Sequence, residues 1–168
     1  FVFSKGKLSM RYAGVEPMIN TERHMKLTDA RHPLMDKEVN VPLQFEIGRG
    51  INGVIITGPN TGGKTVAIKT VALNCLLAQC GLHVAAKEAE ICMNNLILCD
   101  IGDGQNLAEN LSTFSAHITN VLSILQKADE ESLVVMDELG SGTDPAEGMG
   151  IAIAILKELK RCGCLYLV

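Results

Sequence analysis

The stretch that decides the fold runs from residue 55 to residue 69 and reads I-I-T-G-P-N-T-G-G-K-T-V-A-I-K. Within it, residues 58–65 satisfy the pattern G-x-x-x-x-G-K-[ST], which gathers backbone N–H groups around a polyphosphate at the start of a helix. The apolar residues 54–56 before it predict a central strand covered on both sides. The spacing of apolar residues from 64 to 80 predicts the following helix, with Gly81 as its stop. This order of elements favours a phosphate-binding loop over a glycine-rich turn with an accidental lysine.

The loop assigns a chemical role to each of its polar residues. Lys64 is expected to reach the β- and γ-phosphates, and the Thr65 hydroxyl is expected to ligate Mg²⁺. The residues assigned to the nucleotide are Gly58, Pro59, Asn60, Thr61, Gly62, Gly63, Lys64, Thr65 and Val66.

A phosphate loop of this kind predicts a carboxylate at the end of a neighbouring buried strand. Residues 133–136 form an apolar run that ends at Asp137 and Glu138. Asp137 is expected to hold Mg²⁺, and Glu138 to act as the general base that polarises the attacking water. An ordinary acidic pair at a strand end is the alternative, but beside the loop the pair favours an ATP site that hydrolyses its nucleotide.

Several classes of enzyme share this phosphate loop, and other sequence motifs distinguish GTPases, kinases and ABC-type ATPases. No Asn-Lys-x-Asp motif for reading guanine occurs, and arginine, needed for a kinase lid, is sparse after Arg49. A glutamate directly after the aspartate suggests ABC-type ATPases, in which two domains sandwich two nucleotides. Ser112 is then a candidate that caps a helix and donates to the partner's γ-phosphate, with a plain helix cap as the alternative.

The remaining patterns predict an α/β fold. Alternating residues 39–47 predict a strand wet on one face, and short apolar runs at 96–99 and 165–168 predict two further strands. Helices are predicted after Ser112 and from Pro145 to residue 160. The expected architecture is a mainly parallel sheet flanked by helices, preceded by an antiparallel flap, with residues 1–30 as an N-terminal edge segment and 31–168 as the ATPase domain.

Composition limits the possible partners. The 168 residues carry a formal net charge of −4 with a pI near 5.6, which lacks the basic footprint of an autonomous DNA-binding domain. Neither a membrane-spanning run nor a signal peptide is recognisable, so a cytoplasmic protein with six reduced, buried cysteines and no membrane partner is expected. The apolar ends suggest a piece of a longer chain.

Four separated motifs resemble the ATPase domain of the MutS family over roughly residues 25–168. They are A-R-H-P at residues 30–33, T-G-P-N-T-G-G-K-T at 57–65, S-T-F at 112–114 and D-E-L-G-S-G-T at 137–143. Residues 100–105 and 111–115 are more similar to the bacterial endonuclease-type paralogue than to the mismatch-recognising enzyme. The resemblance implies a homodimer closed around ATP and Mg²⁺, which acts on recombination or repair intermediates of DNA or on stalled ribosomes through regions outside this chain.

The same resemblance implies further residue roles. Gln105 is expected in a loop that couples the γ-phosphate to the rest of the protein, Ser112 at the partner's ATP, and residues 140–144 in a loop across the dimer interface. Residues 31–33 are interpreted as a structural strand-edge motif, with a position of His32 near the site as the alternative. Val39 either packs against adenine or is an ordinary strand residue. The family's switch histidine is expected beyond Val168, and His117 is expected at the surface.

Three alternatives stay open at this point. The chain is a nucleotide-sensing dimerisation switch without turnover, the ATPase domain of the mismatch-recognising enzyme, or a chromosome-maintenance ATPase with long coiled coils. The last would carry an L-S-G-G-Q-like signature where S-T-F-S stands at residues 112–115.

Overall fold

The fold was analysed on a computed structural model that describes residues 1–59, 63–101 and 110–168, with only the backbone described for 110–114 and 116. The helices are α1 (Val2–Tyr12), α2 (Lys64–Gln79), α3 (Asn110–Lys127) and α4 (Pro145–Cys162). The strands are β1 (Met18–Asn20), β2 (Met25–Ala30), β3 (Leu43–Ile47), β4 (Gly53–Val54), β5 (Glu88–Cys92), β6 (Ile97–Asp100), β7 (Leu133–Met136) and β8 (Leu165–Leu167). They form two compact units, the first from residues 1–51 and 57–93, the second from 52–56 and 94–168.

The first unit is built on a mixed sheet with the strand order β1-β5-β2-β3. Strand β2 pairs antiparallel with β3 and with β5, and β1 pairs parallel with β5. Its buried residues include Met25, Leu27 and Ile47 of the sheet and Ile68 and Val71 of α2. The predicted antiparallel element is therefore present, but it also includes β5, which follows α2 in the chain and was not predicted.

The second unit contains a parallel sheet with the order β4-β8-β7-β6. Val134 and Met136 of β7 join one apolar cluster with residues of α3 and α4, namely Val121, Ile124, Ile155 and Leu159. The apolar run 133–136 becomes the fully buried β7, and Leu165 and Leu167 of β8 are buried beside it, as expected for strands covered by crossover helices. The parallel sheet and its helices confirm the α/β class.

The prediction of a strand over residues 39–47 was wrong for the first half of that range. Val39 and Val41 are exposed, and β3 begins only at Leu43. Pro42 has no N–H to donate to a ladder, and the side chain of Asn40 donates to the carbonyl of His32 at 2.8 Å. These two residues fold the segment into a loop before the strand can start.

The expectation of a covered central strand at residues 54–56 was also wrong. In the described sheet β4 is an edge strand that pairs with β8, and the Ile56 N–H continues this pairing to the carbonyl of Val168. Ile55 remains 55% exposed. An apolar run shows that a strand forms, but the strand order decides how far it is covered.

Two positions on predicted apolar helix faces are exposed instead. Leu76 of α2 and Leu122 of α3 face solvent, whereas the polar Thr70 and Asn74 of α2 are buried. Both polar side chains bond to backbone groups, which compensates their burial. Helical spacing alone does not distinguish these positions.

The observed division of the chain falls at positions other than residue 30. Strand β2, which ends at Ala30, is hydrogen-bonded on both sides to strands beyond that residue.

Cys75, Cys92 and Cys164 are buried as expected, but Cys80 and Cys99 are exposed. Across the described ranges, no helix combines the length and apolar character needed to cross a membrane.

Candidate functional site

The phosphate loop, residues 58–66, leads into α2 within the first unit. Gly58 has a φ of +151° and Gly63, the residue preceding the helix, has φ 74° and ψ 17°. Among the described residues a methyl group at either glycine would meet no atom within 4 Å, whereas the positive φ at both positions favours glycine. The left-handed turn at Gly63 directs the chain into the helix.

The N-terminus of α2 begins directly after Gly63. Gly63 makes no side-chain cap, and the first turn, residues 64–67, contains no acidic residue. Among the described residues the first backbone bond of the helix runs from the Ala67 N–H to the Gly63 carbonyl at 2.9 Å. The N–H groups at this end of a helix form the positive end of its dipole. This arrangement suits an anion.

Lys64 spans the loop from the start of α2 back to Gly58. Its Nζ donates to the Gly58 carbonyl at 2.5 Å. The ammonium is thereby held at the first residue of the pattern. Asn60, Thr61 and Gly62, which complete the predicted loop, lie outside the described residues.

The Asp137–Glu138 pair follows β7 in the second unit. All four residues of β7 are buried, and Asp137 is 6% exposed. The Asp137 N–H donates to the Asp100 carbonyl at 2.9 Å, and its Oδ1 accepts the Glu138 N–H at 3.0 Å. The carboxylate is therefore oriented by the backbone at the carboxyl end of a parallel sheet, where such folds place ligands.

Glu138 adopts an unusual backbone conformation for a residue other than glycine. Its φ is +53°, in the left-handed region, and its side chain is exposed. The Glu138 carbonyl accepts the Ser141 N–H at 3.0 Å, which closes a turn directly after the strand. Strain of this kind, on the order of 1–2 kcal/mol, is concentrated at functional sites and supports the choice of Glu138 as a candidate.

The loop from residue 140 to 144 packs against the first turns of α4. The Asp144 carboxylate caps α4 by accepting the Ala146 N–H at 2.9 Å, and Pro145 occupies the first helical turn as predicted. The Thr143 hydroxyl donates to the Glu147 carboxylate at 3.0 Å. Its second anchor, the contact between Gly140 and Gly148, leaves no room for a side chain at either position.

A polar cluster at the end of β6 was missed by the sequence reasoning. Asp100 is 8% exposed, and its Oδ1 accepts a hydrogen bond from Asn120 Nδ2 of α3 at 2.7 Å. Its Oδ2 lies 2.8 Å from Nδ1 of His117, whose side chain is 22% exposed. The expectation that His117 is a surface residue was therefore wrong. The available signal was a pair of polar residues three apart on a helix, after a strand that ends in an aspartate.

Two predicted site residues receive little description. Gln105 lies outside the described residues. Ser112 lies within the backbone of α3, which is described from Asn110, so it does not precede the helix as a cap would. Its side chain is likewise outside the described part, and its role stays a prediction.

A cavity of about 510 Å³ lies in the first unit beside the segment 31–40. Its lining residues are Arg11, Tyr12, Ala13, Arg31, His32, Pro33, Leu34, Met35, Asp36, Lys37 and Asn40. The wall is tied to α2 because Asn74 Nδ2 donates to the Arg31 carbonyl at 3.1 Å. Burial lowers the pKa of His32, and the charge of Lys69 on α2 lowers it further, so the neutral ring is favoured.

The segment 31–33 is held by its backbone. The Arg31 N–H donates to the Ala85 carbonyl at 2.7 Å, and the His32 N–H donates to Asn40 Oδ1 at 3.0 Å. These contacts agree with the interpretation of this motif as structural. Val39 is exposed and is not part of the cavity wall.

Comparison with known proteins gives a consistent result. The family model of MutS domain V matches residues 54–168. Endonuclease MutS2 of Bacillus mycoides (strain KBAB4) is 51% identical over 160 residues, which cover 95% of this chain and 20% of that protein. The Endonuclease MutS2 proteins of Bacillus cytotoxicus and Clostridioides difficile (strain 630) are 50% and 48% identical over 164 residues, which cover 97% of this chain and 21% of each relative. The chain spans about a fifth of the length of the curated relatives it matches.

Proposed function

The chain belongs to the MutS family through its domain V, a P-loop ATPase-type domain, and on this premise we propose that it binds and hydrolyses ATP as a motor domain. The observation that carries the proposal is the start of α2. There the left-handed Gly63 leads directly into the helix N-terminus, and Lys64 of its first turn donates to the Gly58 carbonyl. Backbone N–H groups and one lysine together can neutralise a triphosphate.

Thr65 and Asp137 are the proposed ligands of a magnesium ion. Within the second unit Asp137 offers a buried carboxylate whose Oδ1 accepts the Glu138 N–H, and within the first unit Thr65 offers a hydroxyl in the first turn of α2. Carboxylate, hydroxyl and phosphate oxygens are the ligands that Mg²⁺ prefers. When bound, Mg²⁺ neutralises charge on the β- and γ-phosphate oxygens. Glu138 accepts a proton from the attacking water, and its exposed side chain at the end of β7 supports that role.

The cavity beside residues 31–40 is proposed to take the nucleoside part of ATP. It belongs to the same unit as the phosphate loop, and α2 supports its wall through Asn74. The neutral His32 ring and the Met35 side chain suit a planar base, and the lining also carries three basic side chains beside one acidic one, namely Arg11, Arg31, Lys37 and Asp36.

Turnover is proposed to need two copies of the chain. Ser112 on α3 would donate to the partner's γ-phosphate, and residues 140–144 would cross the interface. The firm seating of that loop on α4 supports its use as a rigid contact. Gln105 would couple the γ-phosphate to other parts of the protein. The relatives are named as endonucleases, and we propose that DNA or ribosomes are reached through regions beyond this chain.

The proposal is tested by the ATPase rate of the chain measured against its own concentration in Mg²⁺. Lys64→Ala should abolish nucleotide binding, and Lys87→Ala, which removes an exposed lysine of the same unit, serves as the matched control. Glu138→Gln should retain binding and lose turnover, with Glu130→Gln as its control.

The outcomes separate the alternatives. A specific ATPase rate that rises with the concentration of the chain supports a site completed by a second copy. A specific rate that stays above the Glu138→Gln background but does not depend on concentration contradicts the dimer closed around ATP. ATP that binds without turnover supports the nucleotide switch. Unchanged ATP affinity in Lys64→Ala would refute the phosphate loop itself.

A further inference from the structure

Asp100 is the last residue of β6 and lies beside the end of β7. It pairs with Met136 in the parallel register, and its carbonyl accepts the N–H of Asp137 at 2.9 Å. The backbone of Asp100 thus fixes the point where β7 ends and the Asp137–Glu138 pair begins.

The side chain of Asp100 faces the other way, toward α3. Asn120 Nδ2 donates to its Oδ1 at 2.7 Å, and His117 Nδ1 lies 2.8 Å from its Oδ2. The approach of His117 lacks hydrogen-bond geometry, so within the described residues Oδ2 is in contact with a ring nitrogen without accepting a bond from it. A buried carboxylate is costly unless polar groups compensate it, and α3 supplies one hydrogen-bond donor, Asn120, and one close ring nitrogen, that of His117.

We propose that Asp100 is a positioning residue that holds α3 in one rotation about its own axis relative to the end of β7. The catalytic part of this inference rests on the proposed function, whereas its structural part rests on the contacts alone. Apolar contacts such as those of Val121 and Ile124 are not directional, but hydrogen bonds to a fixed carboxylate are. One residue therefore joins the helix that carries Ser112 to the pair that carries the proposed metal ligand and base.

The consequence of losing these contacts follows from helix geometry. Side-chain tips lie about 5–6 Å from a helix axis, so a rotation of about 10° displaces them by about 1 Å. A displacement of about 1 Å costs on the order of 10²-fold in a catalytic step. The effect falls on turnover, because the phosphate loop contains none of these residues.

The experiment compares amide hydrogen exchange and ATPase kinetics in four variants. Asp100→Ala removes both contacts to α3, Asn120→Ala removes one, and Asp100→Asn preserves an oxygen for Asn120. Thr119→Val is the matched control, because among the described residues the Thr119 hydroxyl bonds to the Ser115 carbonyl of its own helix. All four retain the residues of the phosphate loop.

The first expected result is a rise in amide exchange that is confined to α3 and does not depend on ATP. Exchange of amides 110–120 should rise about ten- to a hundredfold in Asp100→Ala, less in Asn120→Ala, and little in Asp100→Asn or the control. In the same chains, kcat should fall on the order of 10–100-fold for Asp100→Ala while KM for ATP changes less than about threefold.

Two results would overturn the inference. The first is unchanged exchange in α3 of Asp100→Ala. The second is an equal rise in α4, which would show that the residue serves stability in general. If Asp100→Ala does not fold, Asn120→Ala at the helix surface answers the same question. An unmodified chain that binds no ATP would refute the proposed function, while the exchange data would still decide the positioning of α3.

Discussion

The close approach of Gly148 to Gly140 predicts that alanine is tolerated differently at two glycines of α4. A Cβ added at Gly148 of α4 would lie 2.1 Å from the Gly140 carbonyl oxygen, whereas a Cβ added at Gly150 would meet nothing within 4 Å. Gly148→Ala therefore forces the loop after Glu138 off α4, and Gly150→Ala does not. The two substitutions are otherwise chemically identical.

The magnitude follows from the same distance. Cβ atoms essentially never approach other atoms closer than 3.0 Å, so the loop must move by about 0.9 Å. Both variants gain about 0.8–1.0 kcal/mol because alanine is the better helix former. Only Gly148→Ala incurs overpacking of about 1–3 kcal/mol, since the opposing atom is backbone. The two free energies of unfolding should then differ by about 1–3 kcal/mol, or about 2–4 °C in Tm for each kcal/mol.

Activity should separate the variants further. The displaced loop begins at Glu138, and an error of about 1 Å at a catalytic group costs on the order of 10²-fold in rate. Urea unfolding followed by circular dichroism and steady-state ATPase assays measure the two effects. If Gly148→Ala were as stable and as active as Gly150→Ala, the seating of the loop on α4 would be refuted.

Three further predictions concern single side chains. Asn74→Ala should lower the free energy of unfolding by about 1–3 kcal/mol in a denaturant titration, because the buried Ala85 N–H loses the acceptor it now has at 2.7 Å; a change within about 0.5 kcal/mol would contradict this. The NMR titration of His32 should have its midpoint below the ordinary value of about 6.5, and Lys69→Met should raise it only in part, because burial is the larger cause. Since the folded pKa of His32 is depressed, its contribution to stability is complete above the unfolded pKa and is lost as pH falls through the folded one. Glu138→Gln should accumulate ATP-bound dimers, detected by light scattering, and a monomer at saturating ATP would argue against that arrangement.

Several elements could be predicted because their signal is local. The run Leu133–Met136 became β7 with the predicted bounds, and α2 begins at Lys64 as the glycine-rich bend requires. Pro145 begins α4 for the same reason, since its fixed φ suits the first turn of a helix. In each case the residues that decide the element lie next to one another in the chain.

Other features failed to appear in the sequence because they depend on distant partners. Nothing near residue 39 shows that the side chain of Asn40 turns back to His32 and delays β3. Strand β5 is a five-residue run with two glutamates among three apolar residues, and it pairs with β1 and β2. Nothing beside His117 in the chain shows that its ring lies against Asp100 of β6.

The sequence by itself determined the phosphate loop, the strand that ends at Asp137 and the α/β alternation, because glycine conformation, apolar runs and helix capping act within a few residues. Only the tertiary structure decided that β4 lies at a sheet edge and that Asp100 faces α3. It also decided that Gly140 and Gly148 touch. Those outcomes depend on which elements pack together. A buried carboxylate or a close backbone contact acquires its energy only from a partner that the fold brings from far along the chain.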